Sequence, residues 1–370
     1  MKTVRNSRFV TTAMALCLAG AALAFQAAPA QAAGITFTPF VTSSDINAAL
    51  GQTNTIGFNY AGNKFVGSVY YGPNNLQLYS TDLTGGNVQK FGSPLPTGSG
   101  EPVLAASLGQ SGFAQGDVYA SGANANIYHY ANAGGAPSLF ATLPTGNARQ
   151  IFFDPGSSFG GNMIVSSDNG RIYTINSAGA VSLLANIGVD TEGMDIASSA
   201  YGQYAGSLLV ASEGTGYINA ITPMGAVTTL LSSTGGNIRV SVAETLSVVP
   251  LNFGQSGNPL EGFYVANYPY DVQKAGNVTE FMPYLGHAIL TSEFGSGSTI
   301  WDLAYNGDVA NTFTLTAIGA LQYQSEDGIF VTAQRIGDLS VPEPASWTLM
   351  ILGFGAVGSA LRRRRLPLTV

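Results

Sequence analysis

The sequence predicts an all-β protein, a β-propeller of six or seven four-stranded blades, set between two hydrophobic termini. Three observations predict it. Apolar or alternating runs of roughly four to six residues recur between Gly, Asn, Asp and Pro, and no helical-period stripe of useful length interrupts them. A repeat of about 45 residues runs through the middle of the chain. Removing both termini leaves ~305 residues, which that period divides into six or seven units.

Residues 1–32 read as a secretory signal peptide. Lys2, Arg5 and Arg8 give a basic start and Ala13 to Phe25 an apolar core. Ala28-Pro29-Ala30 and Ala30-Gln31-Ala32 offer small-residue cleavage boxes. Passage through the Sec translocon and cutting by signal peptidase are expected. Cys17, the only cysteine, leaves with this segment, so the mature chain has no disulfide and no thiolate metal ligand.

Residues 33–340 form the body. It keeps seven bases (Lys64, Lys90, Arg149, Arg171, Arg239, Lys274 and Arg335) against 20 acids, a balance of 7 − 20 = −13. Such a surface repels nucleic acid. Strands are expected at Asn63–Tyr70, Asp117–Ala120, Met163–Ser166, Arg171–Ile175, Ser207–Val210 and Gly262–Ala266, with a helical turn or two at Ile46–Leu50.

The repeat is clearest between "FGGNMIVSSDNGRIYTINSAGAVSLL" from Phe159 and "YAGSLLVASEGTGYINAITPMGAVTTLL" from Tyr204. Val165 aligns with Val210, Ile175 with Ile221 and Val181 with Val227. An earlier copy places Val118-Tyr119 and Ile127-Tyr128 in register, and weaker ones run over 65–91, 263–281 and 300–331. Each unit reads strand, Asx-Gly turn, strand, small-residue turn, strand. A four-stranded sheet of that kind buries its faces only by stacking on neighbours, as propeller blades do.

The stretch Thr191-Glu192-Gly193-Met194-Asp195-Ile196 opens one unit, with Arg149 to Gly156 as its counterpart about 42 residues earlier. With the downstream "G-x-I-x-x-I" pattern it resembles blades of NHL-type and gluconolactonase- or strictosidine-synthase-like six-bladed propellers. That resemblance implies a metal-assisted hydrolase of the lactonase or esterase sort as one reading, with Glu192 as a ligand.

Asp190, Glu192 and Asp195 bring three hard oxygen donors into one loop and could hold Ca²⁺ or another divalent ion; no other cofactor is expected. Gly156-Ser157-Ser158-Phe159-Gly160 matches G-x-S-x-G, but a strand follows where a nucleophile elbow needs a helix, so it reads as a turn. Asp168-Asn169-Gly170 and Asn306-Gly307-Asp308 read as turns too. Of the body's two histidines, His129 lies between Tyr128 and Tyr130 in a strand, the setting of a solvent-side or packed residue. Tyrosines cluster at Tyr70-Tyr71, Tyr128 and Tyr130, and Tyr264, Tyr268 and Tyr270, and could stack on sugar rings.

The tail, 341–370, has its charges opposite to those of the start. Pro342-Glu343-Pro344 is an extended spacer that cannot join a helix. Ala345–Leu361 is uncharged and long enough, at about 25 Å, to cross a thin bilayer as one helix. Trp347 marks its outer edge, and Arg362, Arg363, Arg364 and Arg365 hold the other side in the cytoplasm. Gly353-Phe354-Gly355-Ala356-Val357-Gly358 spells a dinucleotide-binding turn but lies inside this helix, where it serves packing.

The order Pro-Glu-Pro, Trp, Gly-rich helix, Arg cluster resembles the PEP-CTERM sorting signal of exopolysaccharide-producing Gram-negative bacteria. Thr348 stands where the family commonly has Ala, and five residues trail the arginines. The resemblance implies an exosortase-type membrane protease as partner, with a body held outside the cytoplasmic membrane and then released to the surface or matrix. The expected function is a non-enzymatic binding or structural module, with exopolysaccharide as the fitting partner; the metal-dependent propeller hydrolase is the rival.

Overall fold

The computed structural model describes residues 34–70, 76–98, 100–293 and 298–337. The expected signal peptide lies outside the described residues. So does the tail with Pro342, Glu343, Pro344, Trp347 and Arg362 to Arg365. Among the described residues no helix is long and apolar enough to cross a membrane.

Strand β1 (Phe37–Val41) and helix α1 (Ser43–Leu50) precede blade 1, which comprises β2 (Thr55–Tyr60), β3 (Phe65–Val69), β4 (Leu76–Thr81) and β5 (Gln89–Leu95). Blade 2 is β6 (Leu104–Ala106), β7 (Val118–Ser121), β8 (Asn126–Tyr130) and β9 (Ser138–Thr142). Blade 3 is β10 (Ala148–Phe153), β11 (Met163–Ser167), β12 (Arg171–Ile175) and β13 (Val181–Asn186). Blade 4 is β14 (Met194–Ile196), β15 (Leu208–Ala211), β16 (Ile218–Ile221) and β17 (Val227–Thr229). In these four the strands follow one another in sequence.

The last two blades are interlaced. After β18 (Ala243–Val248) the chain leaves blade 5 to build β19 (Gly262–Tyr268) and β20 (Val272–Ala275) in blade 6. It returns for β21 (Ala288–Ser292), β22 (Thr299–Tyr305) and β23 (Phe313–Ala320), then ends in blade 6 as β24 (Gln324–Val331) before helix α2 (Ala333–Ile336). Blade 6 has the order β1-β20-β19-β24, so the first and last strands share one sheet and close the ring. The ring has six blades, which settles the count.

The strong repeat copies are blades 3 and 4, and the earlier copy is blade 2. The weak copies at 263–281 and 300–331 are not blades. The first covers two strands of blade 6, and the second joins two strands of blade 5 to the last of blade 6.

The core lies between blades. Ile164 and Ile172 of blade 3 pack on Leu208, Val210 and Ile221 of blade 4. Tyr119 and Ile127 of blade 2 meet Ile151, Val165 and Tyr173 of blade 3. Blades 6 and 1 join through aromatic rings: Phe65 stacks on Phe58 at 5.0 Å and lies 4.9 Å from Tyr264. Each such buried ring contributes roughly 1.5–3 kcal/mol by removal from water. Helix α1 is capped by Thr42, whose side chain accepts from Asp45 N, and by Gly51 at φ 73°, and it buries Ile46.

The loop Gly156 to Gly160 winds around buried Asp154, which accepts N–H bonds from Gly156, Ser157, Phe159 and Gly161. It is a carboxylate-centred turn, as the strand after it required.

Candidate functional site

Strands β2, β6, β10, β14, β18 and β24 are the innermost of their blades and contact one another in a closed cycle around a central channel. Their N-terminal ends open at one mouth and their C-terminal ends at the other.

A ring of polar side chains ties these strands together. Ala106 N–H donates to Asn59 Oδ1 (3.3 Å), Met194 N–H to Gln150 Oε1 (2.6 Å), Val248 N–H to Asp195 Oδ2 (2.7 Å) and Phe58 N–H to Asp327 Oδ2 (2.9 Å). Ser247 Oγ donates to Gly328 O (2.9 Å). Five of the six blade junctions are stapled in this way. At the junction from blade 2 to blade 3, β6 offers only Ala105 and Ala106 at this level. Ile151 pairs with Val165 and Met194 with Val210, so Gln150 is equivalent to Gly193, 193 − 150 = 43 residues apart. The spacing of about 42 residues expected for these neighbourhoods is one residue short, and Asp154 falls on Ala197, not on Asp195.

The N-terminal mouth is built on Arg149. Its Nη1 donates to Glu101 Oε2 at 2.6 Å, and its Nε and Nη2 grip Asp190 Oδ1 and Oδ2 at 3.1 and 2.6 Å. Nε also lies 3.1 Å from Glu192 Oε1, and Nη2 lies 3.4 Å from Glu213 Oε2. Glu244 hydrogen-bonds Glu192, and Glu293 hydrogen-bonds Glu213 and accepts from Gln324 Nε2 at 2.5 Å. Glu326 completes the cluster, within the electrostatic reach of Glu101 and Glu293.

Bulges aim these groups. In β10 Ala148 and Gln150 face consecutive partners, leaving Arg149 as the extra residue; in β24 Glu326 is the extra one between Ser325 and Asp327. The ladder of β18 slips at Glu244-Thr245. Ala211 pairs with both Glu192 and Gly193, the same irregularity in blade 4. A bulge turns a side chain out of the alternation of its strand. Gly193 must be glycine here, because a Cβ would lie 2.3 Å from Leu246 N of the next blade.

Burial opposes the charge of Arg149. Its hydrogen bonds to Asp190 and the fields of Glu192, Asp190 and Glu101 outweigh that and raise its pKa above the ordinary guanidinium value. Desolvation lifts Glu192 and Glu244 well above the usual carboxyl range, although Arg149 pulls Glu192 back. Their mutual hydrogen bond pulls Glu192 down and pushes Glu244 further up. Glu293 and Glu326 are both pushed up to about 8, by burial first and then by neighbouring carboxylates.

The three carboxylates expected to form a cation site do not stay together. Asp190 and Glu192 do meet, with oxygens within 4.8 Å of Glu213. Asp195 instead belongs to the staple ring, accepting from Ile196 N–H at 2.7 Å as well as from Val248. Glu213, from the β15–β16 turn, was not foreseen. The donor set is of the right chemistry for Ca²⁺, but the guanidinium of Arg149 already bonds Asp190, Glu192 and Glu213. A divalent ion would have to expel it, so this set does not fit a resident metal.

Around the same mouth lies a cleft of ≈ 480 Å³ lined by Tyr70, Glu101, Asn124, Asn147, Arg149 and Asp168. On the blade 6 side the Tyr270 ring packs on Tyr323 at 4.4 Å, both partly exposed, and Tyr268 lies within the field of Tyr70, Glu101 and Glu326. Of the expected tyrosine platforms, Tyr70, Tyr268 and Tyr270 are on this rim. Tyr128, Tyr130 and Tyr264 are core residues, and Tyr71 lies outside the described residues. His129 is half-buried, its Nε2 2.6 Å from Asp117 Oδ2 and its ring against Tyr119.

The family model of the PEP-CTERM protein-sorting motif matches residues 340–365. The motif implies export in bacteria, sorting to the cell surface or beyond, and processing by an exosortase-type enzyme. No curated protein matches the chain. Among solved structures it is similar to a catalytically inactive virginiamycin B lyase from Staphylococcus aureus with quinupristin (15% identity, 77% of this chain and 74% of that one, TM-score 0.47). It is also similar to a streptogramin B lyase (13%, 77% and 74%, TM-score 0.46) and to the WD40 β-propeller domain of Doa1 (12%, 76% and 87%, TM-score 0.42). Values this low carry no activity, ligand or residue role across.

Proposed function

We propose, from the premise that this chain carries a PEP-CTERM sorting motif, that its propeller is a glycan-binding module of the extracellular matrix. In this reading residues 1–32 direct Sec export and are removed by signal peptidase. The 345–361 helix then holds the body outside the cytoplasmic membrane of a Gram-negative cell until exosortase processing.

The observation that carries the binding role is the arc of the N-terminal mouth. Exposed tyrosine faces on blades 6 and 1 adjoin a cleft of amides and carboxylates on blades 2 and 3. Aromatic faces pack on the C–H faces of sugar rings, while carboxylates and amides accept and donate to hydroxyls. The carboxylates of the cluster and rim disfavour an acidic polymer, so a neutral exopolysaccharide fits better. A hydrolase reading needs an ion at Asp190, Glu192 and Glu213, where Arg149 already sits.

Retention of the exported protein on immobilised dextran and galactomannan, against alginate, tests the role. Retention on a neutral polymer, cut at least ~10-fold (about 1.4 kcal/mol) by Tyr70→Ala, is expected. Stronger retention on alginate, or indifference to Tyr70→Ala, sinks it.

A further inference from the structure

The opposite, C-terminal mouth holds a cavity of ≈ 340 Å³ that the glycan reading does not use. Its wall includes Gln150, Asp195, Ser247 and Asp327 of the staple ring, with Phe152 and Ile329 among the apolar groups. Helix α2 stands at its edge and contributes Arg335.

Arg335 differs from Arg149. Its guanidinium has no hydrogen bond and no ion pair within 4.0 Å among the described residues, although Asp195 and Asp327 are its electrostatic partners. Each of those carboxylates spends its bonds on two backbone N–H groups, Ile196 and Val248 for Asp195, Gly328 and Phe58 for Asp327. A carboxylate offers about four acceptor sites, so each retains capacity. Five donors and several acceptors thus confront one another across a gap without meeting.

A group that bridges them must accept from the guanidinium and donate to the carboxylates, which is what a hydroxyl does. Net charge of either sign is disfavoured. An anion would approach two carboxylates, and a cation would approach an arginine whose charge burial already opposes. The volume lies at the small end of ligand pockets, about the size of one sugar ring.

We propose that the C-terminal mouth is a binding site for a small neutral polyhydroxylated molecule, a monosaccharide or sugar alcohol, with Arg335 as donor and Asp195 and Asp327 as acceptors. The site is separate from the N-terminal mouth and stands whether or not that mouth takes glycan.

Calorimetric titration of the exported protein with D-glucose and myo-inositol, against D-glucuronate and D-glucosamine, tests it. A neutral probe should bind with Kd at or below ~1 mM, and Arg335→Gln should weaken it at least ~10-fold. Phenylglyoxal modification of the unmutated protein, mapped by mass spectrometry, gives a readout that requires no variant to fold. Arg335 should react and be protected by the neutral probe that binds. Water alone in the cavity would show as no binding by either neutral probe at ~10 mM. That result, tighter binding of a charged probe, or no protection of Arg335 would each overturn the proposal.

Discussion

At the N-terminal mouth the guanidinium of Arg149 touches four carboxylates, whereas at the C-terminal mouth that of Arg335 faces two and touches neither. The same residue type thus has two uses in one channel. Bulged inner strands press Arg149 into direct contact, and the crowd of acids around it is tolerated because one cation and several retained protons share the charge. Arg335 comes from a four-residue helix outside the sheets and leaves a gap.

Breaking the two arginines separates these cases most sharply. Arg149→Met leaves Glu192, which is 7% exposed, and its neighbours without a cation, and should cost on the order of 3–5 kcal/mol in denaturant unfolding. Arg335→Met should cost about 1 kcal/mol or less, since it breaks no direct pair. Equal losses would erase the distinction.

Proton retention gives the next largest effect. Glu293 and Glu326 titrate near 8 in the fold against an ordinary value of 4.5, so the folded chain binds more protons than the unfolded one. Stability should therefore be greatest below about 4.5 as far as these groups are concerned, and fall as pH climbs towards 8. Thermal unfolding from pH 5 to pH 8 should show a drop on the order of 5 °C or more. Glu293→Gln with Glu326→Gln should flatten it. A flat profile in the unmutated protein would show that the mouth is not proton-loaded.

The staple ring predicts a smaller effect. Asp327→Ala removes the acceptors for both Phe58 N–H and Gly328 N–H and should cost on the order of 1–2 kcal/mol, whereas Asp327→Asn keeps one of the two acceptor oxygens and should recover part of that loss. Urea midpoints of the two variants decide it.

The same contrast between local and assembled features governs what the sequence could tell. Blades 3 and 4 were legible because their strands follow one another, so Val165 and Val210 recur at a constant spacing. Blades 5 and 6 were not, because β19 and β20 interrupt blade 5 and break the period. Asp190 and Glu192 were legible as neighbours in one loop. Asp195 was misleading, since three residues beyond Glu192 the strand has turned it into the staple ring. Arg149, Glu244 and Glu326 come from three different blades and reach the mouth through bulges, which follow no alternation. The alignable signal was the repeat itself: with Gln150 set on Gly193, Arg149 falls on Glu192.

The central claim is that Arg149 is the cation of the N-terminal mouth, in the place a divalent ion would take. Thermal unfolding of the unmutated protein and of Arg149→Met, each with a chelator and then with millimolar Ca²⁺, tests it directly. The unmutated protein should melt at the same temperature in both, while the variant, its carboxylates vacated, should be stabilised by Ca²⁺. Loss of stability in the unmutated protein on chelation, restored by Ca²⁺, would contradict the account.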